Sequence, residues 1–428
     1  MERIGITLPP ALAHRDAGSV LTLVDDSGRP LANRSVTVEQ RSHAFGFGNI
    51  GFDFIGLANG EESADPDSPF GGASPAQAAA LVDRFFDIFN MATLPFYWGG
   101  FEPERAKPDT QRLLRTAAWI RAHGATPKGH PLAWHTLAPK WLLDLDVDGI
   151  EEAVRSRITR DVTDFTGVVD MWDAINEVVI MPVFDKEDNG LTRLCQKLGR
   201  VETIRLAFET AREANPDAML LLNDFNMSPA YEHLIEECLE AGIKIDAIGL
   251  QSHMHQGYWG EEKTFAVLER FARFGLPLHM TETTLLSGHL MPPEIVDLND
   301  YQIPQWPSTP EGLERQADEI VRHYTTLMSH EAVDAITYWG FTDAGAWLGA
   351  PVGLVYSDGT PKPSYYSLRN LVKGQWWVEP TRASTDDNGR LELTGMAGEY
   401  EVRCDEATGA VALNGDAADA LTVTLSQE

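Results

Sequence analysis

Cysteine is scarce in this chain of 428 residues: Cys195, Cys238 and Cys404 are the whole complement. They are odd in number, far apart and in no Cys-x-x-Cys spacing, which argues against a disulfide framework and against a zinc site. Positive charge is also in short supply, with 34 Lys and Arg facing 64 Asp and Glu for a net charge of −30. A surface this acidic repels phosphate backbones and anionic lipid, so neither nucleic acid nor a membrane surface is an expected partner. A neutral substrate is not penalised. No apolar run reaches the ~18 residues of a membrane span. The opening MERIGITLPPALAHRDAG has no apolar stretch behind a basic start, so no signal peptide is read there and the expected location is cytoplasmic. No Gly-x-x-x-x-Gly-Lys phosphate loop occurs. Nothing in the pattern signals a dimer, and a monomer is expected.

What is present is ordinary globular material, 43% hydrophobic and 23% charged, long enough for a barrel of about 250 residues plus a small extra domain. Residues 18–40 alternate apolar and polar around Asp-Asp-Ser-Gly-Arg-Pro, and from about 376 short alternating runs recur between Gly, Asn and Asp turns. Both read as strands. Neither end can bury a core alone. The expectation is one small β-sandwich-like accessory domain built from residues 1–42 and 376–428.

Between the ends, 43–375, strand-like runs alternate with amphipathic helical ones. The strand candidates are 44–50, 91–98, 126–135, 168–177, 218–226, 246–255, 276–283 and 334–343; helical patterns include 75–90, 201–214 and 265–275. Eight such units predict an α/β chain folded as a (β/α)8 TIM barrel. Polar and aromatic residues gather at the C-terminal ends of the runs: Trp98, His130, Trp134, His135, Asn176, Glu177, Asn223, Gln251, His253, Glu282 and Trp339. That end of a TIM barrel carries the active site. Two loops stand out by length, 52–74 and 285–311, the latter with Trp306; a substrate-facing role is expected for the second.

Two glutamates end the fourth and seventh runs, in Trp-Asp-Ala-Ile-Asn-Glu (172–177) and His-Met-Thr-Glu-Thr (279–283). Glycosidic bond cleavage needs two carboxyl groups flanking the bond. A lone glutamate at a strand end is usually a salt-bridge partner. Two at opposed barrel-mouth positions, among Trp, His, Asn and Gln, point to glycoside chemistry. His253 and His255 also spell His-x-His, a possible metal pair and the one support for a metal-dependent hydrolase barrel. The tryptophan-rich setting disfavours it, and no metal and no cofactor is expected.

The ordered set GHPLAWHTLAPKW (129–141), MWDAINE (171–177), LLLNDFN (220–226), IDAIGLQSHMH (245–255), LPLHMTE (276–282), TYWGFTDAGAWL (337–348) and GLVYSDGTPKPSYY (353–366) resembles glycoside hydrolase family 10, the endo-β-1,4-xylanase family. The resemblance runs over about 20–373. It implies a retaining hydrolase with Glu282 as nucleophile and Glu177 as acid/base. It further implies that Asn176 and His130 bind sugar hydroxyls and that Gln251 and His253 hold the glutamates. Trp134, Trp339 and Trp347 would wall the sugar, with His135 and Tyr97 also at the substrate.

The sequence departs from the family pattern in two places. The Glu-Asn pair and Lys expected after the second strand read Thr93, Leu94 and Tyr97, and a Gln reads Leu137. Four polar groups for the sugar beyond the reacting one are thereby lost. The Asp two residues after the nucleophile reads Thr284, which removes the usual partner of His253. The expected substrate is xylan or xylo-oligosaccharide. The alternatives are a short glycoside with an apolar aglycone, as in tomatinase-like members, with Tyr97, Leu94 and Trp306 as apolar surface, or carbohydrate binding without catalysis.

Overall fold

The computed structural model describes residues 1–63, 73–414 and 420–427. Two compact units emerge: Phe47–Tyr365, and Met1–Gly46 together with Tyr366–Glu428.

The larger unit is built around a closed barrel of eight parallel strands. In chain order these are Gly46–Ile50, Met91–Pro95, Thr126–His130, Met171–Asn176, Met219–Asp224, Ala247–His253, Leu278–Thr284 and Val333–Tyr338. Neighbours in sequence are neighbours in the ring, and the eighth closes onto the first. Each observed strand falls within or within one residue of an expected run. Three of the expected runs, 91–98, 126–135 and 334–343, extend three to five residues beyond the C-terminal end of the observed strand, where the chain leaves the sheet as loop.

Local sequence explains the helices between strands. Pro75–Ile88 starts at Ser74, whose hydroxyl accepts from the Gln77 amide (3.3 Å) while the Gln77 side chain accepts from the Ser74 amide (2.9 Å). This reciprocal cap, with Pro at the first helical position, fixes where the helix begins. Its stripe Ala78, Leu81, Phe85 and Ile88 is buried, the 3.6-residue periodicity that predicted it.

One helix also shapes the catalytic end. On Val147–Phe165, Arg157 is buried; it pairs with Asp161 at 3.1 Å and donates to the carbonyls of Leu132 (2.6 Å), Pro131 (3.1 Å) and Phe96. These carbonyls belong to the loops after the second and third strands. A single guanidinium therefore clamps two site loops, and a charge buried this way is tolerated only because its donors are satisfied.

The smaller unit holds two sheets. One runs Arg3–Gly5, Arg390–Thr394, Ser19–Val24, Leu421–Thr424; the other Thr381–Ser384, Ser35–Gln40, Gly398–Cys404, Ala407–Leu413, Ser426–Gln427. Both interleave strands from the two chain ends, as the alternating pattern predicted. Leu21, Leu23, Val36, Val38, Leu391 and Val402 share one core, every second residue of each strand turned inward. The three cysteines are buried and free. Among the described residues no helix is long and apolar enough to cross a membrane.

Candidate active site

Both glutamates sit beside a break in strand register. The fourth strand slips against its neighbour between Asp173 and Ile175, and the seventh between Met280 and Glu282. A β-bulge re-aims side chains and is common beside active sites. Its effect is visible at Thr281 and Glu282, consecutive residues that would face opposite ways on a regular strand. Here the Thr281 hydroxyl donates to Asn223 Oδ1 (2.6 Å) and Glu282 Oε1 accepts from Asn223 Nδ2 (3.0 Å). Glu177, one residue past its strand, has φ +58°. That left-handed conformation is uncommon for a residue with a side chain, and such strain collects at functional sites.

A continuous network joins the two carboxylates. Glu177 accepts from Trp134 Nε1 (2.8 Å), Asn176 Nδ2 (3.2 Å) and Gln251 Nε2 (3.3 Å). Gln251 Nε2 also donates to Asn176 Oδ1 (3.0 Å), which accepts from Asn223 Nδ2 (2.8 Å). Glu282 meets His253 Nε2 at 2.9 Å, and His130 Nε2 stands 4.0 Å away. The far nitrogen of His130 lies 2.7 Å from Asp173, which pairs in turn with the buried Lys128 at 2.8 Å.

The environments of the two glutamates differ in sign. Burial, reinforced by the charge of Glu282, pushes Glu177 from 4.5 up to about 8. Burial also works to raise Glu282, but the hydrogen bond from His253 and the positive potential of His130 outweigh it and hold the carboxyl below its ordinary value. One carboxyl is therefore protonated at neutral pH beside one that is ionised, the division an acid and a nucleophile require.

The aromatic residues gather around this pair. Trp339 lies 5.1 Å from the His130 ring and Trp347 5.0 Å from the His253 ring. Tyr97 packs 5.6 Å from both His130 and Trp134, and burial plus the charges of Glu282, Glu177 and Asp173 raise its hydroxyl well above 10. His135 is buried against Trp134 and Phe184, the latter ring at 4.4 Å. Burial lowers it to about 4.

The departures have structural counterparts. His253 Nδ1 is buried with no hydrogen-bond partner among the described residues. Thr284, in the position expected to serve it, instead has its hydroxyl 3.0 Å from the Met254 amide and 3.4 Å from His255 Nδ1. His255 is itself packed against Trp347 and Trp306. Among the described residues no group of three or more His, Cys, Asp or Glu is placed to hold a metal ion.

Two expectations are corrected. Leu94 is fully buried and offers no surface to a ligand. Trp306 belongs to a core with Leu286, Met291, Ala350 and Val352, its indole donating to the His289 carbonyl at 2.8 Å. Side-chain direction on a bulged barrel and packing within a long loop are set by distant residues, which the local pattern does not carry. Phe52, at the start of the loop 52–74 to which the sequence assigns no role, forms a cluster with Tyr97 and Trp339, next to Trp134 and Leu137. Residues 64–72 of that loop lie outside the described residues. Asp173 and Lys128 were also missed. Their only signal was charge inside runs otherwise read as strand interior.

The family match, more than the closed (β/α)8 barrel alone, sets the class: the protein is a glycoside hydrolase. It belongs to glycosyl hydrolase family 10, whose model matches residues 73–371. Among relatives, endo-1,4-beta-xylanase B of Thermotoga neapolitana is 28% identical over 292 residues, 64% of this chain and 78% of that protein. Endo-1,4-beta-xylanase A of Xylanibacter ruminicola is 28% identical over 330 residues, 70% and 84% of the two chains. The fold is shared with xylanase 10B from Thermotoga petrophila RKU-1, solved in complex with xylobiose, at TM-score 0.61 and 24% identity, covering 77% of this chain and 94% of that one.

Proposed function

We propose that the protein hydrolyses β-1,4-xylan, xylo-oligosaccharides or a related small β-glycoside with retention of configuration. In the first step a Glu282 oxygen attacks the anomeric carbon as the bond to the leaving oxygen breaks, and Glu177 gives that oxygen its proton. In the second, Glu177 takes a proton from water, whose oxygen displaces Glu282 from the glycosyl ester. Asn176 would hydrogen-bond the 2-hydroxyl and His130 the next hydroxyl along the ring. Gln251 and His253 would orient Glu177 and Glu282, while Trp134, Trp339 and Trp347 stack on the sugar's C–H faces.

The observation that carries this reading is the linkage of the two glutamates through Asn176, Asn223 and Gln251, with the two carboxyls displaced in opposite directions. A protein that only binds carbohydrate has no need of that division. The xylanase names of relatives at 28% identity support the substrate class. The apolar cluster of Phe52, Tyr97 and Trp339 favours a second substrate reading, a short glycoside with an apolar aglycone.

The test is a panel of aryl β-glycosides (xyloside, xylobioside, glucoside, cellobioside, arabinoside, galactoside) beside soluble xylan. Wild type should cleave at least one, with the β-anomer of the product formed first, and Glu282→Ala should lose about 10⁴-fold or more in kcat. Inversion, or an unimpaired Glu282→Ala, would refute the mechanism.

A further inference from the structure

The loop after the seventh barrel strand is an ordered strap with ties on several sides. Leu286, Met291 and Trp306 give it a core of its own, shared with Ala350 and Val352. The Met291 amide donates to the His255 carbonyl at 2.9 Å. Gln256 Nε2, in the loop after the sixth strand, donates to the carbonyls of Pro292 (2.9 Å) and Ile295 (2.7 Å). Asn299 Oδ1 accepts from Trp347 Nε1 at 3.2 Å, in the loop after the eighth strand. Asp297 and Asp300 pair with Lys186 at 3.4 and 3.1 Å, and Lys186 lies in the loop that follows Glu177 and the fourth strand.

These ties form a path around one side of the carboxylate pair. From Glu282 it runs to His253 (2.9 Å), to Trp347 (5.0 Å between rings), to Asn299, and through Asp300 to Lys186. The strap thus connects the loop of the eighth strand to the loop of the fourth along the arc of the sixth and seventh. On the other side, Phe52 after the first strand and Tyr97 after the second pack with Trp339, which follows the eighth, and Leu137 of the third-strand loop lies beside them. A groove that takes a polymer across its catalytic pair needs both ends open.

We infer that the strap 289–303 and the Phe52–Tyr97–Trp339 cluster close the two ends of the cleft, so that the enzyme removes short terminal glycosyl units or cleaves small glycosides instead of cutting a polymer internally. The inference rests on the reading of Glu177 and Glu282 as the catalytic pair. The Lys186 tie is an exposed ion pair of small individual strength, which weakens with salt. The strap's own apolar core holds it in place, so closure rests mainly on the loop and that pair is a minor tie.

The test compares the aryl glycoside cleaved best, xylohexaose and soluble xylan, using wild type, a variant with 294–300 replaced by Gly-Ser-Gly, and Lys186→Ala. Wild type should release reducing ends from xylan without an early fall in viscosity. The hexaose-to-aryl-glycoside ratio of kcat/KM should rise about tenfold in the shortened strap, a wall of the cleft having been exchanged for open space. In Lys186→Ala, which keeps the loop's core and so its fold, the ratio should rise less. A rapid viscosity drop with wild type, or an unchanged ratio in both variants, overturns the inference while leaving the catalytic pair intact. If wild type cleaves none of these substrates or the wider glycoside panel, the catalytic reading itself fails and the inference falls with it.

Discussion

Asn223 Nδ2 donates to Glu282 Oε1 at 3.0 Å, and the same nitrogen lies 2.8 Å from Asn176 Oδ1. The amide is held in this sense because its nitrogen faces the Glu282 carboxylate, which can only accept, while its oxygen accepts from the Thr281 hydroxyl at 2.6 Å. Asn223 therefore sets the position of the carboxylate while itself lying beneath it, fully buried. Asn223→Ala should lower kcat by about 10–100-fold with a smaller change in KM, the worth of one hydrogen bond to a charged group. Gly249→Ala should act in the same direction. Its new Cβ would stand 2.4 Å from Asn223 Oδ1, and the amide would have to move. Steady-state kinetics on an aryl glycoside measure both. An Asn223→Ala variant with wild-type kcat would show that Glu282 is held by His253 alone.

The pH profile follows from the division between the two carboxyls. On the proposed mechanism, activity requires Glu177 protonated and Glu282 ionised. Glu177, raised to about 8, sets the alkaline limb of kcat/KM, and rate is lost as pH rises through that value. Glu282, held below 4.5, sets the acid limb, and rate persists below the ordinary glutamate range. Since the two groups interact, the limbs report the pair. The expected profile is a broad bell. Glu282→Gln removes the neighbouring negative charge that helps to raise Glu177, so the Glu177 carboxyl in that variant, followed by NMR titration of the isotope-labelled side chain, should titrate lower than in wild type.

The same displacement bears on stability. Glu177 binds its proton more tightly in the folded state than in the unfolded one. Between pH 4.5 and about 8 the folded state carries the extra proton, so stability falls with rising pH across that window and is flat beyond it. Glu177→Gln removes this dependence. The difference in Tm, variant minus wild type, should grow from pH 4.5 to 8 and then level off. Thermal melts at five or six pH values would read it. A difference that stays constant or shrinks with pH would mean that Glu177 titrates near its ordinary value.

Much of this was legible in the sequence, for a physical reason. A barrel puts the ends of eight strands at one mouth, so each chemistry-bearing residue is displayed where a short apolar run stops. Glu177, Gln251, His253 and Glu282 could be found that way. The supporting layer could not. Asp173 and Lys128 lie inside their strands, and they are seen as a buried pair behind His130 only once the third and fourth strands are side by side. Phe52, Asn299 and Lys186 act through contacts spanning more than 40 residues. Leu94 and Trp306 were misread for a related reason: exposure on a bulged strand or in a long loop depends on what packs over it.

Gly129 offers the sharpest stability prediction. It neighbours Trp172 across the third and fourth strands, and a Cβ there would lie 2.1 Å from the indole ring. The indole has nowhere to go. It is fully buried, stands 4.7 Å from Phe96 and 6.1 Å from Phe165, and donates to the Val169 carbonyl at 3.1 Å. Overpacking a filled core costs about 1–3 kcal/mol, and in a unit of this size each kcal/mol moves Tm by roughly 2–4 °C. Gly129→Ala should therefore lower Tm by several degrees. The strain should also reach His130 and Asp173, the next residues along each strand, raising KM for the glycoside. Trp172→Leu alone should destabilise by leaving a cavity. Combined with Gly129→Ala it should recover part of the loss, since each change relieves the other, and a double-mutant cycle would give a coupling of opposite sign to the single effects. Strict additivity of the two would mean that the barrel wall moves aside at Gly129, and that the third strand is held less firmly than the Arg157 clamp behind it implies.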